Sequence, residues 1–151
     1  MKNILKYTFV IGLVSLMFTA CKKERQTYKG PTVVEFSPAI KSKSQGTVTI
    51  AGYDSVKVQL VGPQRSADLE LSYTVDPIST AIAGTHYNIP NLGKFILPAN
   101  SSFGYIRVNL IPGSIPNNLT ASQKKLVLNL TGNTEVPASV NYKKYTLTIT
   151  F

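Results

Sequence analysis

Residues 69–75 carry the sequence LELSYTV, in which apolar and polar side chains alternate. Successive side chains of a β-strand point to opposite faces of the sheet, so this alternation gathers the apolar residues on one face. Those residues are Leu69, Leu71, Tyr73 and Val75. The stretch lacks the helical period, and it therefore predicts a half-buried antiparallel strand.

The same alternation recurs along most of the chain. Further strands are expected at residues 32–36, 47–50, 55–61, 94–97, 103–111, 124–131 and 142–151. Residues 52–54 are expected to turn the chain, and two long connections are expected at residues 77–93 and 112–123. No segment shows helical periodicity. The sequence thus predicts an all-β fold, an antiparallel Ig-like β-sandwich of about seven strands.

The first 20 residues differ from this pattern. Lys2 and Lys6 form a basic region, and the apolar run at residues 7–18 carries no charge. Small residues and Cys21 follow directly. This order predicts a secretory signal peptide over residues 1–20. The apolar run is short for an uncleaved membrane-spanning helix, which needs roughly 20 apolar residues.

Cys21 is the chain's only cysteine, and its position after Thr19-Ala20 resembles a bacterial lipobox. The resemblance implies cleavage before Cys21, lipid on its thiol, and an outer-membrane lipoprotein on the periplasmic or the cell-surface face. Phe18 departs from the Leu that most lipoboxes show. The alternative is ordinary secretion, which leaves an unpaired thiol in an oxidising compartment.

Composition predicts a single domain. Residues 21–31 are polar and end in Gly30-Pro31, which indicates a flexible tether, and residues 32–151 form the expected domain. The formal charge of +9 falls to +7 when Lys2 and Lys6 leave with the signal. The remaining cations are dispersed and form no nucleic-acid motif, so we expect no nucleic-acid partner. Those in residues 22–29 lie where anionic headgroups can meet them.

Two short motifs identify a family resemblance. Residues 83–87, AGTHY, and residues 95–102, FILPANSS, resemble the Gly-Thr-Asp-Tyr box and the Phe-Pro-Ala-Gly strand end of Calx-beta domains. The order of segments from residue 55 to residue 151 is also similar. The chain looks still more like small Calx-beta-like lipoprotein domains of unknown function in polysaccharide-degrading Gram-negative bacteria, where an Ile-Pro pair like Ile89-Pro90 often follows the box. That resemblance implies a sandwich associated with glycan uptake or with surface proteins.

The sequence departs from calcium-binding Calx-beta domains in its carboxylates. His86 replaces the Asp of the box, and residues 112–123 contain no Asp or Glu. Calcium takes six to eight oxygen ligands, several of them usually carboxylates. One histidine and a lipidated cysteine do not support zinc either. The sequence therefore predicts no metal site and no cofactor.

Catalytic groups are sparse as well. His86 is the single histidine, and no nucleophile-elbow motif accompanies it. Glu70 and Asp76 fall near one strand, whereas glycoside hydrolysis needs two carboxylates that face each other. We expect the His86 side chain to bond nearby backbone in its loop. The sequence predicts that the protein is not an enzyme and has no catalytic residues.

Exposed tyrosines are the best candidates for a binding surface, since the chain has no Trp. Aromatic rings offer an apolar face to a sugar, and polar neighbours can bond its hydroxyls. The candidates are Tyr53, Tyr87, Tyr105 and Tyr142, whereas Tyr73 and Tyr145 fall on core faces. Tyr105, Arg107 and Asn109 share the outward face of one strand and form the expected ligand face. The alternative is an ordinary solvated strand face.

Two functional hypotheses follow from these observations. The first is a membrane-anchored, non-catalytic binding or accessory module for a glycan or a partner surface protein. The alternative is a structural pilin-like or adhesin subunit that assembles by strand exchange. Residues 54–56, DSV, also resemble an O-glycosylation site of exported proteins in such bacteria, which predicts a glycan on Ser55. The sequence does not specify an oligomeric state.

Overall fold

A computed structural model describes residues 28–117 and 123–151. The predicted signal peptide, the lipidation site at Cys21 and the tether as far as residue 27 lie outside the described residues, as does part of the connection at residues 112–123. Among the residues described, none belongs to a helix that is long and apolar enough to cross a membrane.

The described residues form nine strands in two packed sheets. The strands are β1 (Val33–Phe36), β2 (Ile40–Ser44), β3 (Tyr53–Val61), β4 (Leu69–Val75), β5 (Tyr87–Asn88), β6 (Lys94–Leu97), β7 (Phe103–Leu110), β8 (Lys124–Gly132) and β9 (Lys144–Thr150). One sheet has the order β1-β3-β7-β5, and the other has the order β2-β9-β8-β4-β6. All neighbours are antiparallel except β2 and β9. The predicted all-β sandwich is confirmed.

The core lies between the two sheets because the long strands alternate as the sequence predicted. Val56, Val58, Ile106 and Val108 come from one sheet, and Leu71, Leu126, Leu128 and Leu147 come from the other. All of these side chains are buried. Each contributes about 1.5–3 kcal/mol through the apolar surface it removes from water. The same alternation leaves the opposite side chains of β3 and β7 outside, on rigid central strands.

Residues 47–50 do not form the predicted strand. Thr47 and Ile50 exchange two backbone hydrogen bonds, of 2.8 and 3.0 Å, so the segment is a tight turn. Val48 is 90% exposed, and Ile50 is also exposed. An antiparallel bridge just outside the turn closes the loop, so no neighbouring strand covers the apolar side chains. The expected turn at residues 52–54 is also wrong, because β3 already begins at Tyr53.

Two strands were not predicted. β2 carries the sequence IKSKS and lies at a sheet edge, parallel to β9, so its side chains are mostly exposed and show no apolar alternation. β5 has two residues and lies inside the expected connection at residues 77–93. It pairs with the end of β7 through Tyr87 and Asn88.

The two sheets approach each other closely where β6 meets β7. A Cβ atom added at Gly104 would lie 3.2 Å from the carbonyl oxygen of Ile96 and 3.3 Å from the ring of Phe95. Those distances are tight for a Cβ atom, so glycine allows this approach. Beyond this contact, a cleft opens between β6 and β7.

Candidate ligand-binding face and cleft

The outer surface of β3 and β7 carries the predicted ligand residues. We define the β3–β7 face as Tyr53, Ser55, Lys57, Phe103, Tyr105, Arg107 and Asn109. These side chains alternate with buried ones along both strands. The antiparallel register sets Tyr53 opposite Asn109, Ser55 opposite Arg107, and Lys57 opposite Tyr105. The predicted outward placement of Tyr105, Arg107 and Asn109 is confirmed, and their role in binding stays a prediction.

Arg107 is held in place by its neighbours on this face. Its guanidinium carbon lies 4.3 Å from the centre of the Tyr53 ring, and its Nε donates a hydrogen bond of 2.9 Å to Asn109 Oδ1. Stacking of a guanidinium on an aromatic ring contributes about 0.5–1 kcal/mol at an exposed site. Among the described residues, the two terminal nitrogens of Arg107 have no hydrogen-bond or ion-pair partner. They are therefore available to a ligand.

A second aromatic and basic group continues the face. The Nζ of Lys57 lies 4.9 Å from the centre of the Phe103 ring, and that ring packs nearly edge-on against Tyr105 at 5.8 Å. Tyr105 is 56% exposed, and Tyr53 is 52% exposed although Arg107 stacks on one side of its ring, so both rings keep surface that is open to a ligand. Among the described strands of this sheet, Glu35 of β1 is the one acidic residue on the outer side.

A cleft of about 540 Å³ adjoins the face. Its lining includes Tyr73, Pro90, Lys94, Ile96, Tyr105 and Arg107. The volume falls within the range of small-molecule sites, roughly 300–1,000 Å³. Tyr105 and Arg107 belong to both the face and the cleft, so a ligand could contact the two surfaces together.

Tyr73 contributes a buried hydroxyl beside this cleft. Its ring packs edge-on against Phe95 at 6.3 Å. The hydroxyl is inaccessible to solvent and has no hydrogen-bond partner of normal geometry among the described residues. Burial raises the pKa of Tyr73, and the nearby backbone of Gly93 opposes that rise. Buried polar groups are usually paired, because an unpaired one loses its hydration without compensation.

Tyr145, the other tyrosine predicted to be in the core, is fully paired. Its hydroxyl donates to Asp54, and Lys41 Nζ donates to the other Asp54 oxygen at 2.9 Å. Burial, together with the Asp54 carboxylate, holds the pKa of Tyr145 well above its ordinary value. This cluster joins β2, β3 and β9 and has a structural role.

His86 has the local role that its position in the box predicted. It is buried, and its Nδ1 accepts a hydrogen bond of 2.9 Å from the Ile82 N–H. Its carbonyl oxygen accepts from the Ile111 N–H at 3.0 Å.

Two tyrosine predictions have different outcomes. The prediction that Tyr87 is an exposed binding residue is wrong, because β5 directs its ring into the core, where it is buried. Tyr142 is exposed, as predicted, but it lies in the connection between β8 and β9. It does not join the β3–β7 face.

The two carboxylates considered for catalysis occupy separate structural sites. Glu70 is exposed and pairs with Lys94 at 2.7 Å. Asp76 is buried and accepts hydrogen bonds from the Ile78 N–H and from Asn129, and it pairs with Lys144 at 3.0 Å. The Ile78 N–H, followed by Lys144, lowers the pKa of Asp76. Within residues 28–117 and 123–151, no three His, Cys, Asp or Glu side chains converge on a point that could hold a metal ion.

Ser55 is the third residue of β3, half-buried and opposite Arg107. The preceding Asp54 is buried and bonded to Tyr145, so its carboxylate belongs to the core. Modification of Ser55 stays a prediction.

Sequence patterns missed half of the face and all of the cleft. Because residues 52–54 were predicted to form a turn, Tyr53 was not assigned to a strand. The register that places Lys57 beside Tyr105 depends on how two strands pair, and neither strand specifies it alone. Alternation along residues 53–61 was the signal that could have joined Tyr53 to the face.

No family model matches the chain, and no curated protein matches it. Solved structures are similar to it, however. CBD12 of CALX1.2 matches over 78% of this chain with 18% identity and a TM-score of 0.58, and the calcium binding domain CBD12 of CALX1.1 matches over 77% with 18% identity and a TM-score of 0.56. A protein of Bacteroides ovatus, provisionally named carbohydrate binding, matches over 78% with 9% identity and a TM-score of 0.58.

These likenesses concern the fold. The chain spans 43%, 43% and 36% of the three matched chains, which is less than half of each. At this level of identity, they confirm the Calx-beta-like sandwich that residues 83–87 and 95–102 implied.

Proposed function

We propose that this chain is a membrane-anchored, non-catalytic accessory module that binds a polysaccharide through the β3–β7 face. The observation that carries the proposal is the placement of Tyr53 and Tyr105, both more than half exposed, on either side of a held Arg107. Sugar rings stack on exposed aromatic side chains, and a positioned guanidinium can bond their oxygens. Central strands hold these groups more rigidly than loops do.

Binding fits the surrounding residues better than catalysis does. His86 and Asp76 are occupied by structural hydrogen bonds, and Glu70 is paired with Lys94. The names of two similar structures describe binding proteins, one for calcium and one for carbohydrate. The likeness to the carbohydrate-binding protein supports this proposal more directly than the likeness to the calcium-binding domain does, because the exposed groups on the β3–β7 face are aromatic and basic.

Membrane attachment through Cys21 is part of the same proposal, and residues 1–21 of the sequence support it. We expect cells to incorporate a clickable palmitate analogue into the wild-type protein and not into Cys21→Ser. We further expect the acylated protein in the outer-membrane fraction. Equal labelling of Cys21→Ser would refute attachment at this residue.

The strand-exchange alternative is disfavoured by the sheet order. β9 lies between β2 and β8, so donating it to another molecule would break two ladders. β1 is short and is bonded on both sides, to β3 and to the segment at residues 137–139. Concentration-dependent oligomers in solution would revive this alternative.

Affinity electrophoresis tests the binding proposal. The full-length protein, in a non-ionic detergent, is run through native gels that contain different polysaccharides. We expect at least one polysaccharide to retard the wild type and Tyr105→Ala to abolish that retardation. Tyr142→Ala, which removes an equally exposed tyrosine elsewhere, should migrate like the wild type. Uniform migration in every gel would refute the proposal.

A glycan on Ser55 would compete with this function. Ser55 faces outward between Tyr53 and Lys57, so a sugar attached there would cover the face. Intact mass spectrometry of the protein from its native host distinguishes the two cases. Polysaccharide binding predicts the acylated polypeptide mass alone, and an additional hexose-sized increment lost in Ser55→Ala would support glycosylation.

A further inference from the structure

We propose that the bound polysaccharide carries carboxylate groups and that one carboxylated sugar occupies the cleft between β6 and β7. This inference rests on the proposed function and specifies the chemical class of its ligand. Arg107 binds the carboxylate, and the free backbone groups of β7 bond the same sugar.

The charge around the cleft favours an anion. Lys94 is offset by Glu70 at 2.7 Å, whereas Arg107 makes no ion pair among the described residues. Lys57 adds a second cation on the adjoining face. Glu70 also lines the cleft, but its charge is taken up by Lys94, and Glu35 on β1 lines no part of it.

The fixed orientation of Arg107 suits a carboxylate. Tyr53 stacks on the guanidinium, and Nε is already bonded to Asn109. The two terminal nitrogens stay unpaired and present parallel N–H donors. A carboxylate accepts two such hydrogen bonds at once, in a geometry that a neutral hydroxyl cannot reproduce.

The backbone of β7 also offers bonding groups to a sugar. Leu60 N–H donates to the Ser102 carbonyl, and Leu110 N–H donates to the Gly52 carbonyl, so even-numbered residues of β7 bond to β3. In an antiparallel ladder, the residues between them direct their N–H and C=O groups to the other side. At Tyr105 and Arg107, that side is the cleft.

The open edge is too short for a partner strand. β5 already covers Asn109 and Leu110, and the Ser101 hydroxyl bonds the backbone of Phe103. Two residues remain, whereas strands usually have at least about three. Sugar hydroxyls, which both donate and accept, fit these isolated groups.

The test compares glycans in affinity gels with the full-length protein in detergent. The probes are polygalacturonate, alginate and hyaluronan, the neutral glycans dextran, mannan and β-glucan, and dextran sulfate as a polyanion without carboxylates. We expect one carboxylated glycan to bind at least tenfold more tightly than every neutral glycan and than dextran sulfate. Arg107→Gln should weaken that binding at least tenfold.

Two further variants separate a built site from general charge. Lys43→Gln removes one positive charge from exposed β2 in the other sheet and should change affinity less than twofold. Tyr73→Phe removes a buried hydroxyl that solvent does not reach and should also change affinity less than twofold, while the melting temperature stays equal or rises.

The outcomes distinguish this inference from the function on which it rests. Equal losses in Arg107→Gln and Lys43→Gln, or equal retardation by dextran sulfate, would overturn the carboxylate site in favour of non-specific attraction. Preference for a neutral glycan, abolished by Tyr105→Ala, would overturn the carboxylate inference and leave the proposed function intact. Binding to none of the glycans would overturn both.

Discussion

Tyr73 and Tyr145 are both buried in this sandwich, but their hydroxyls have opposite surroundings. Tyr145 donates to Asp54, which Lys41 also bonds, and the cluster is enclosed between strands. Tyr73 has no partner among the described residues and lies beside an open cleft. A satisfied buried network stabilises one fold, whereas a buried hydroxyl without a partner has lost its hydration without compensation. The two tyrosines thus mark a paired site in the core and an unpaired one behind the wall of the cleft.

The largest expected effect lies in the Asp54 cluster. Asp54→Ala leaves the Tyr145 hydroxyl without its acceptor and removes the carboxylate partner of Lys41, whose amine keeps only the Ser55 carbonyl. We therefore expect the unfolding free energy to fall by about 3 kcal/mol. Urea unfolding measures the change. Asp68→Ala removes an exposed carboxylate that bonds the Ala99 N–H and should cost less. Equal losses in the two variants would break the structural interpretation of the cluster.

The next largest effect on stability is expected when the hydroxyl is removed from Tyr145 and, for comparison, from Tyr73. Tyr145→Phe leaves a buried carboxylate without its hydroxyl donor and should cost about 2 kcal/mol, since hydrogen bonds to charged groups contribute about 1.5–3 kcal/mol. Tyr73→Phe removes an unpaired hydroxyl and should be neutral or stabilising by up to about 1 kcal/mol. Chemical unfolding of both variants measures the difference. A loss above 1 kcal/mol in Tyr73→Phe would contradict the unpaired hydroxyl.

His86 extends the comparison to a third buried polar side chain, which is paired with backbone. His86→Ala should cost about 1–2 kcal/mol, because the Ile82 N–H loses its acceptor. His86→Asp supplies a carboxylate acceptor at the same position and should recover part of the loss. If Asp were no better than Ala in thermal unfolding, the hydrogen bond would not explain the cost.

The smallest expected effect is a decrease in the stability of the fold at alkaline pH. The folded protein holds the Tyr145 proton more tightly than the unfolded chain, whose tyrosine has the ordinary pKa of 10.0. This contribution to stability is therefore complete below pH 10 and is lost as pH rises above it. The expected loss from Tyr145 is about 1 kcal/mol at pH 10.5. Unfolding measured between pH 9 and pH 10.5 should show a weaker dependence in Tyr145→Phe than in wild type, and equal slopes would contradict the prediction.

The alternation of apolar and polar side chains predicted strands correctly where two long strands pair with each other. It failed where a segment has no neighbouring strand. Residues 53–61 and 103–110 pair along nearly their whole length, so their apolar faces are buried as expected. Val48 and Ile50 alternate in the same way, but their segment closes on itself and has no strand to bury them. Tyr87 is buried because two residues of β5 pair with β7, a contact that local sequence does not specify.

By itself, the sequence determined the all-β class, most of the strands, the core positions of Tyr73 and Tyr145, and the outward placement of Tyr105, Arg107 and Asn109. These are local properties, because side-chain alternation needs only the geometry of one strand. The tertiary structure alone decided that Arg107 stacks on Tyr53, that Asp54 pairs with Tyr145, and that a cleft opens beside β7. Those contacts join residues distant in the chain, and they depend on sheet register and on how the two sheets pack.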